Sequence, residues 1–244
     1  MEDDVKKAGS PVLGSRFLKE TAAEGEAAFS SVGAVHKTGL LTLIVIVAAS
    51  YAWTQPWVFM PALLPLVLIN LAVAFGIIFV PSTAPFLAPV YAVLEGLILG
   101  AISSAYEGLY QGIVFQAAAG TMAILAVMVV GYSTGILKLG QRAKSVVIAC
   151  TMGLAITYLL SLVAGFFGYH AGFIYESTPL GIAFSIFALI IAALNFSLDF
   201  EFIEEAQKGH LAKRMEWYAA FGVLVTLVWV YLEMLRLLSK LRKK

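Results

Sequence analysis

The chain has 244 residues, of which 61% are hydrophobic and 13% are charged, and its formal net charge is +1. Soluble domains carry about 25% charged residues, so this composition predicts a membrane protein without a large soluble domain. The balanced charge argues against nucleic acid as a partner, and the single cysteine, Cys150, excludes an internal disulfide and a cysteine-based metal site.

Residues 1–35 mix acidic and basic side chains with many Ala, Gly and Ser residues, which predicts a cytoplasmic N-terminal tail. Residues 36–244 contain seven apolar segments. Each segment is long enough to cross a bilayer, where about 20 helical residues are needed and backbone polar groups must be satisfied within the segment. We therefore predict an all-α polytopic membrane helix bundle with seven transmembrane helices. The segments run over about 36–54, 60–80, 86–106, 113–137, 145–169, 179–203 and 216–239.

Basic residues predict how these segments are oriented. Lysine and arginine precede the first segment and occupy the loops between segments 4 and 5 and between segments 6 and 7. The loops between segments 1 and 2, 3 and 4, and 5 and 6 contain neither. This pattern places the N-terminus in the cytoplasm, and the predicted location is the bacterial inner membrane. Seven complete spans would put the basic residues of 236–244 outside, against the same rule. Either the seventh segment re-enters the membrane and returns to the same side, or the basic residues near the N-terminus determine the orientation. The length of the seventh segment, about 24 residues, favours a full span.

Carboxylates inside the apolar segments are the candidate functional residues. Asp199 ends the apolar run of the sixth segment, and Glu233 lies within the seventh. An acid in a membrane span costs roughly 2.5–3.5 kcal/mol on insertion scales, so each predicts a function, unless it lies near a helix end and reaches water. Glu95 lies in the middle of the third segment, where it could line an ion path, relay a proton, or remain protonated as a structural strut. Next to it, Gly96 and Gly100 have the GxxxG spacing that favours close helix contact.

Three stretches of the C-terminal third resemble one membrane protein family. They are residues 192–205 around Asp199, the run Glu216-Trp217-Tyr218, and the run Tyr231-Leu232-Glu233 followed by Leu235-Arg236. On these motifs the chain resembles the Bax inhibitor-1 (TMBIM, YccA-like) family, and residues 90–100 also look similar to its bacterial members. The resemblance implies seven helices with the last one central and wrapped by the other six. It also implies a pH-sensitive calcium leak whose sensor is a pair of carboxylates facing each other between helices 6 and 7.

Carried over to this chain, the resemblance assigns the pH-sensing and ion-binding positions to Asp199 and Glu233, which would also be the ligands of a bound Ca²⁺. Two departures stand out: Glu233 occupies a position where the family has Asp, and segment 2 lacks the basic residue of bacterial relatives, with Asn70 as its only strongly polar side chain. Two carboxylates in contact in a low dielectric cannot both ionise, so they would share one proton. Loss of that proton, or arrival of Ca²⁺, would replace the shared hydrogen bond by repulsion or by oxygen coordination.

Depth in the membrane works against this contact. Counted from the loop between segments 6 and 7, Asp199 lies about 7 residues in and Glu233 about 17, a mismatch of roughly 15 Å for straight, upright helices at about 1.5 Å per residue. Contact would need tilted helices, an irregular loop, or a seventh helix that begins outside the bilayer. Otherwise Asp199 faces Glu216 or Arg214, and Glu233 faces Glu95.

Other classes of protein have weaker support. The run Gly131-Tyr132-Ser133-Thr134-Gly135 matches G-x-S-x-G, but that motif supplies a nucleophile only at a strand-to-helix turn, and here it lies in an apolar helix. The histidines lack metal-ligand spacing, so no enzyme is predicted. A non-conducting regulatory protein that binds a membrane protease or another partner remains an alternative. So does a proton-coupled transporter, although the matched, interrupted half-helices of such proteins are missing.

Together with the resemblance, the sequence thus predicts a pH-sensitive calcium leak channel with no cofactor beyond Ca²⁺ as the permeant ion. Its expected partners are the lipid bilayer, calcium ions and protons, together with a membrane protease or another membrane protein. The predicted sensor is Asp199 with Glu233. The residues predicted to line an ion path or relay a proton are Glu95, Glu216 and Arg236.

Overall fold

The computed structural model describes residues 27–166, 168, 174 and 176–243, so the predicted tail lies largely outside the described residues. The described part forms seven long helices and contains no named strand. A single turn at Pro56–Phe59 and a 3₁₀ turn at Pro81–Thr83 flank the second helix. The predicted all-α class is confirmed. The long helices are α1 (Ser31–Thr54), α2 (Leu63–Phe79), α3 (Ala84–Leu109), α4 (Ile113–Ser133), α5 (Gln141–Phe166), α6 (Pro179–Lys208) and α7 (Met215–Arg242).

Among the described residues, six of these helices are long and apolar enough to cross a membrane, and α2 is shorter, with 17 residues. Seventeen residues rise about 26 Å, the lower end of what a hydrocarbon core of about 30 Å requires. The helices differ in how much of their apolar window is buried: 56% for the span that contains α3, 44% for α7 and 39% for α6, against 17–22% for α1, α4 and α5. The last helix is therefore one of the three most buried, and the remaining helices expose apolar side chains suited to lipid.

Local sequence accounts for two helix ends that differ from the predicted ones. Helix α1 begins at Ser31, five residues earlier than predicted, because the Ser30 hydroxyl caps it by accepting a hydrogen bond from the Gly33 amide at 3.4 Å. Helix α4 ends at Ser133, because Gly135 takes a left-handed conformation with φ of 81° that helix geometry does not allow.

The described residues divide into two compact units, and α3, α6 and α7 each contribute to both. The first unit contains residues up to Leu99 together with Glu201–Gly222. Its apolar cluster includes Phe29, Ala206 and Met215. In the same unit α1 and α3 approach closely, since a Cβ atom on Gly96 would lie 2.5 Å from the Val45 carbonyl oxygen. The close contact predicted at Gly96 is thus present.

The segment that precedes α1 is tied to the loop between α6 and α7. The Phe29 amide donates to the Leu211 carbonyl at 2.7 Å, and the Lys213 amide donates to the Ala27 carbonyl at 3.0 Å. The Ser31 amide then donates to the Gln207 side-chain oxygen at 3.0 Å. Residues 27–31 are therefore part of the folded first unit.

The second unit contains Gly100–Phe200 and Val223 onward. One of its apolar clusters joins α4 to α7 through Ile113, Ala117 and Leu235. Another joins α5, α6 and α7, and its buried members are Leu154, Ala188 and Ile191.

Candidate functional site: buried carboxylates of the membrane helices

Glu233 lies in a buried ion pair. Its side chain is 1% exposed, and both carboxylate oxygens accept hydrogen bonds from Arg236 Nη1, at 2.8 and 2.9 Å. The Tyr158 hydroxyl and the Trp229 indole N–H also donate to Oε1, at 2.7 and 3.1 Å. The Arg236 guanidinium lies 4.7 Å from the centre of the Tyr158 ring and donates to its hydroxyl at 2.8 Å. The carboxylate therefore has a counter-ion and further donors without needing water.

Helical spacing on α7 builds most of this cluster. Trp229, Glu233 and Arg236 are separated by four and three residues, so they lie on one face of the helix. Tyr158 reaches the cluster from α5, and its ring packs edge-on against Phe184 of α6 at 6.1 Å. Arg236, which the sequence analysis placed in an ion path, is in the structure the counter-ion of Glu233.

Asp199 lies in a different environment. The Thr226 hydroxyl donates to its Oδ2 at 2.6 Å, and Thr226 is itself 6% exposed. Within the described part of the chain, Asp199 makes no ion pair and has no other side-chain hydrogen-bond partner. Asp199 thus places a carboxyl group within a candidate span, and the partner of this carboxyl group is a neutral hydroxyl.

The structure does not bring Asp199 and Glu233 together as the resemblance implied. Thr226, the partner of Asp199, precedes Glu233 by seven residues, which is two helical turns or about 10 Å along α7. The alignment of α6 along α7 is the physical reason for this separation. It pairs Asp199 with Thr226, and fourteen residues away on each helix it pairs Ser185 with Lys240 at 2.8 Å. A Ca²⁺ site shared by the two carboxylates has no support in this geometry. Among the described residues, no group of three or more His, Cys, Asp or Glu side chains converges as metal ligands.

Glu95 is 8% exposed and contacts the only strongly polar side chain of α2. The Asn70 side-chain amide, 3% exposed, donates to Glu95 Oε2, and the Tyr91 hydroxyl one turn earlier on α3 also hydrogen-bonds to the carboxyl group. The Asn70 carbonyl oxygen has no hydrogen-bond partner among the described residues. Asn70 thus supplies a neutral hydrogen-bond partner to Glu95 from α2.

Glu216, at the start of α7, is 1% exposed and forms an ion pair with Lys37 of α1. Its Oε1 also accepts a hydrogen bond from the Ser30 amide at 3.0 Å. The carboxylate lies so close to Gly33 that a Cβ atom there would overlap it. The partner of Glu216 is therefore a lysine of the first helix and not Asp199.

Sequence reasoning missed several polar residues of these clusters. Lys240, which the sequence analysis used only for membrane orientation, is 2% exposed and donates to the Gly181 carbonyl at 2.7 Å and to the Ser185 hydroxyl. Thr226 and Tyr158 gave no signal, because a hydroxyl in an apolar helix is common. The spacing of Trp229, Glu233 and Arg236 on one helix was a signal that could have identified the ion pair.

The alternative site at Ser133 has a local explanation. Its hydroxyl donates to the Val130 carbonyl of its own helix at 2.9 Å. A serine nucleophile also needs a base, and His170, which the sequence places at the far end of the fifth segment, lies outside the described residues.

Apolar helices with carboxylates buried among them define this chain as a polytopic integral membrane protein. Residues 10–243 match the family described as Bax inhibitor 1 like. The chain belongs to this family of membrane proteins, which confirms the resemblance seen in its sequence. None of the curated proteins with which the chain was compared matches it.

Proposed function

We propose that this protein is a pH-sensitive calcium leak of the bacterial inner membrane, with a cytoplasmic N-terminus and with Asp199 as its proton-binding group. The observation that carries the proposal is the contrast between two carboxylates of one unit. Glu233 is paired with Arg236, whereas Asp199 is hydrogen-bonded to a neutral hydroxyl. Of these two carboxylates, Asp199 is the one without a counter-ion, so a proton or a cation has to neutralise it.

Competition between a proton and Ca²⁺ for Asp199 links pH to ion passage. A proton and a Ca²⁺ ion both neutralise a carboxylate, and Ca²⁺ prefers oxygen ligands of this type. A protonated Asp199 offers less attraction to a cation, so acid conditions favour the proton. The Thr226 hydroxyl can donate to the ionised carboxyl group or accept from the protonated one, because a hydroxyl does both. Neither state then leaves Thr226 without a partner.

The test is calcium flux into liposomes that contain the purified protein, measured between pH 6 and pH 8. We expect the wild-type flux to vary with pH. Asp199→Asn resembles the protonated state at every pH, so its flux should stay at the low-pH level of the wild type and no longer respond to pH. Glu204→Gln is the matched control, because Glu204 is a surface carboxylate of the same helix that pairs with Lys208 at 2.7 Å.

Two outcomes would contradict the proposal. A folded Asp199→Asn variant with the pH profile of the wild type would remove Asp199 as the proton-binding group. Wild-type protein without flux at any pH would instead favour a non-conducting regulatory protein that acts through a membrane protease or another partner.

A further inference from the structure

A pocket of about 420 Å³ lies in the first unit, where α1 and α7 both begin. Basic residues dominate its polar wall: His36 and Lys37 come from the first turns of α1, and Lys213 comes from the loop before α7. Glu216 is the acidic residue of the wall, and Leu40 is the large apolar residue. The pocket therefore combines a cationic end with an apolar side.

The acidic residue does not neutralise the cationic end. The carboxylate of Glu216 is 1% exposed and already accepts hydrogen bonds from Lys37 and from the Ser30 amide. Its charge thus balances that of Lys37, while Lys213 adds a positive charge that Glu216 does not balance. An ammonium group carries three donors, so Lys37 can also donate to a second acceptor. An anionic group in this pocket would meet an excess of positive charge.

The pocket also continues onto a lipid-facing surface. His36, Leu40, Leu43 and Val47 follow one another at spacings of four, three and four residues, so they form one stripe along α1. The three apolar side chains of this stripe are 47%, 56% and 62% exposed. The cationic end lies where the candidate spans α1 and α7 start, which is the depth of lipid headgroups.

Trp217 supports the same depth for the cationic end. The Lys37 ammonium lies 5.5 Å from the centre of the Trp217 ring. Tryptophan and lysine at the ends of spans are typical of the headgroup region, where an amphipathic ring and a long charged side chain can both reach water.

We propose that this pocket binds the phosphate group of an anionic phospholipid, whose acyl chains lie along the stripe of Leu40, Leu43 and Val47. Basic pockets at the ends of membrane helices recognise such headgroups by their negative charge. A free phosphate ion has the same charged group but no chains for the apolar stripe. A phospholipid would contact both the cationic end of the pocket and the apolar stripe, and for this reason we assign the site to lipid.

The experiment measures lipid retained by the purified full-length protein, using native mass spectrometry, with melting temperature as the second readout. The protein in detergent is titrated with phosphatidylglycerol, with zwitterionic phosphatidylcholine, and with inorganic phosphate. The test variant is the double substitution His36→Gln and Lys213→Gln, which leaves the Lys37–Glu216 pair in place. Lys208→Gln is the matched control, because Lys208 is an exposed lysine at the end of α6 that does not line the pocket.

We expect phosphatidylglycerol to be retained and to raise the melting temperature more than phosphatidylcholine does. The double variant should weaken the apparent affinity for phosphatidylglycerol roughly fivefold or more, which is the effect of removing the one lysine charge of Lys213, while Lys208→Gln leaves it unchanged. Equal retention by the double variant and the wild type would overturn the proposal, as would equal binding of the two lipids. Stabilisation by inorganic phosphate as strong as that by phosphatidylglycerol would show a free-anion site and also overturn the assignment to lipid.

Discussion

Removing Arg236 tests whether the Glu233 cluster behaves as a buried ion pair. Arg236→Met deletes the positive charge, both hydrogen bonds to the carboxylate and the one to the Tyr158 hydroxyl, while keeping most of the apolar side-chain volume. Glu233 is 1% exposed, so its charge cannot turn to water when the guanidinium is lost. Removing one partner of a buried pair costs about 3–5 kcal/mol.

The reverse substitution should cost less. Glu233→Gln keeps an oxygen that accepts from Tyr158 and Trp229, and the Arg236 side chain is 21% exposed, so water can solvate part of the remaining charge. We expect a loss of about 1–3 kcal/mol. Combining the two substitutions removes both charges and leaves neutral groups in hydrogen-bonding positions. The double variant should therefore be more stable than Arg236→Met alone, by about 2 kcal/mol.

The assay is reversible unfolding of the purified protein in mixed micelles by sodium dodecyl sulfate, followed by tryptophan fluorescence. Arg242→Met serves as the control on the same helix. Arg242 donates to the Gln111 carbonyl and the Gln116 side chain at 2.8 Å, at an exposed site, so its loss should cost less than about 1 kcal/mol. A double variant that is less stable than Arg236→Met would refute the reasoning, because it would show that no buried charge had been left without its partner.

Two further substitutions test single contacts of the first unit by their effect on melting temperature. Gly96→Ala should destabilise the protein by about 1–3 kcal/mol, because its Cβ atom would lie 2.5 Å from the Val45 carbonyl oxygen. Gly153→Ala is the control, since a Cβ atom at Gly153 meets nothing within 4 Å. Its stability should be equal to that of the wild type or slightly higher. Asn70→Leu removes the amide donor of Glu95 and should cost about 1–3 kcal/mol, since the buried carboxyl group keeps only its contact with Tyr91. An unchanged melting temperature in Gly96→Ala or Asn70→Leu would contradict the contact concerned.

Hydropathy was sufficient to predict the helical class and the approximate position of every long helix. Segment length and apolar composition determine where a chain can cross a membrane, and these are properties of a single stretch of sequence. The ends were less accurate because they depend on individual residues. The cap at Ser30 starts α1 early, and the left-handed Gly135 stops α4 before residue 137.

The acids of the candidate site could be recognised in the sequence, but their partners on other helices could not. An acid in an apolar run is visible in one segment, whereas its partner depends on how two helices are aligned along their axes. The estimated depth mismatch of roughly 15 Å argued against contact between Asp199 and Glu233, and in the structure Asp199 is hydrogen-bonded to Thr226, which lies about 10 Å from Glu233 along α7. Partners from other helices, such as Tyr158 and Lys37, had no signal in the sequence around the acids.

The bonds that hold residues 27–31 change what shortening the N-terminus would mean. This stretch supplies backbone donors to the side chains of Glu216 and Gln207 and pairs with the loop 209–214. A deletion that ends at residue 30 would therefore remove part of the support of the connection between α6 and α7, and not merely a tail. A fusion or purification tag placed before residue 27 would keep those bonds, and a force applied to that tag would act directly on the loop that connects the two helices carrying Asp199 and Glu233.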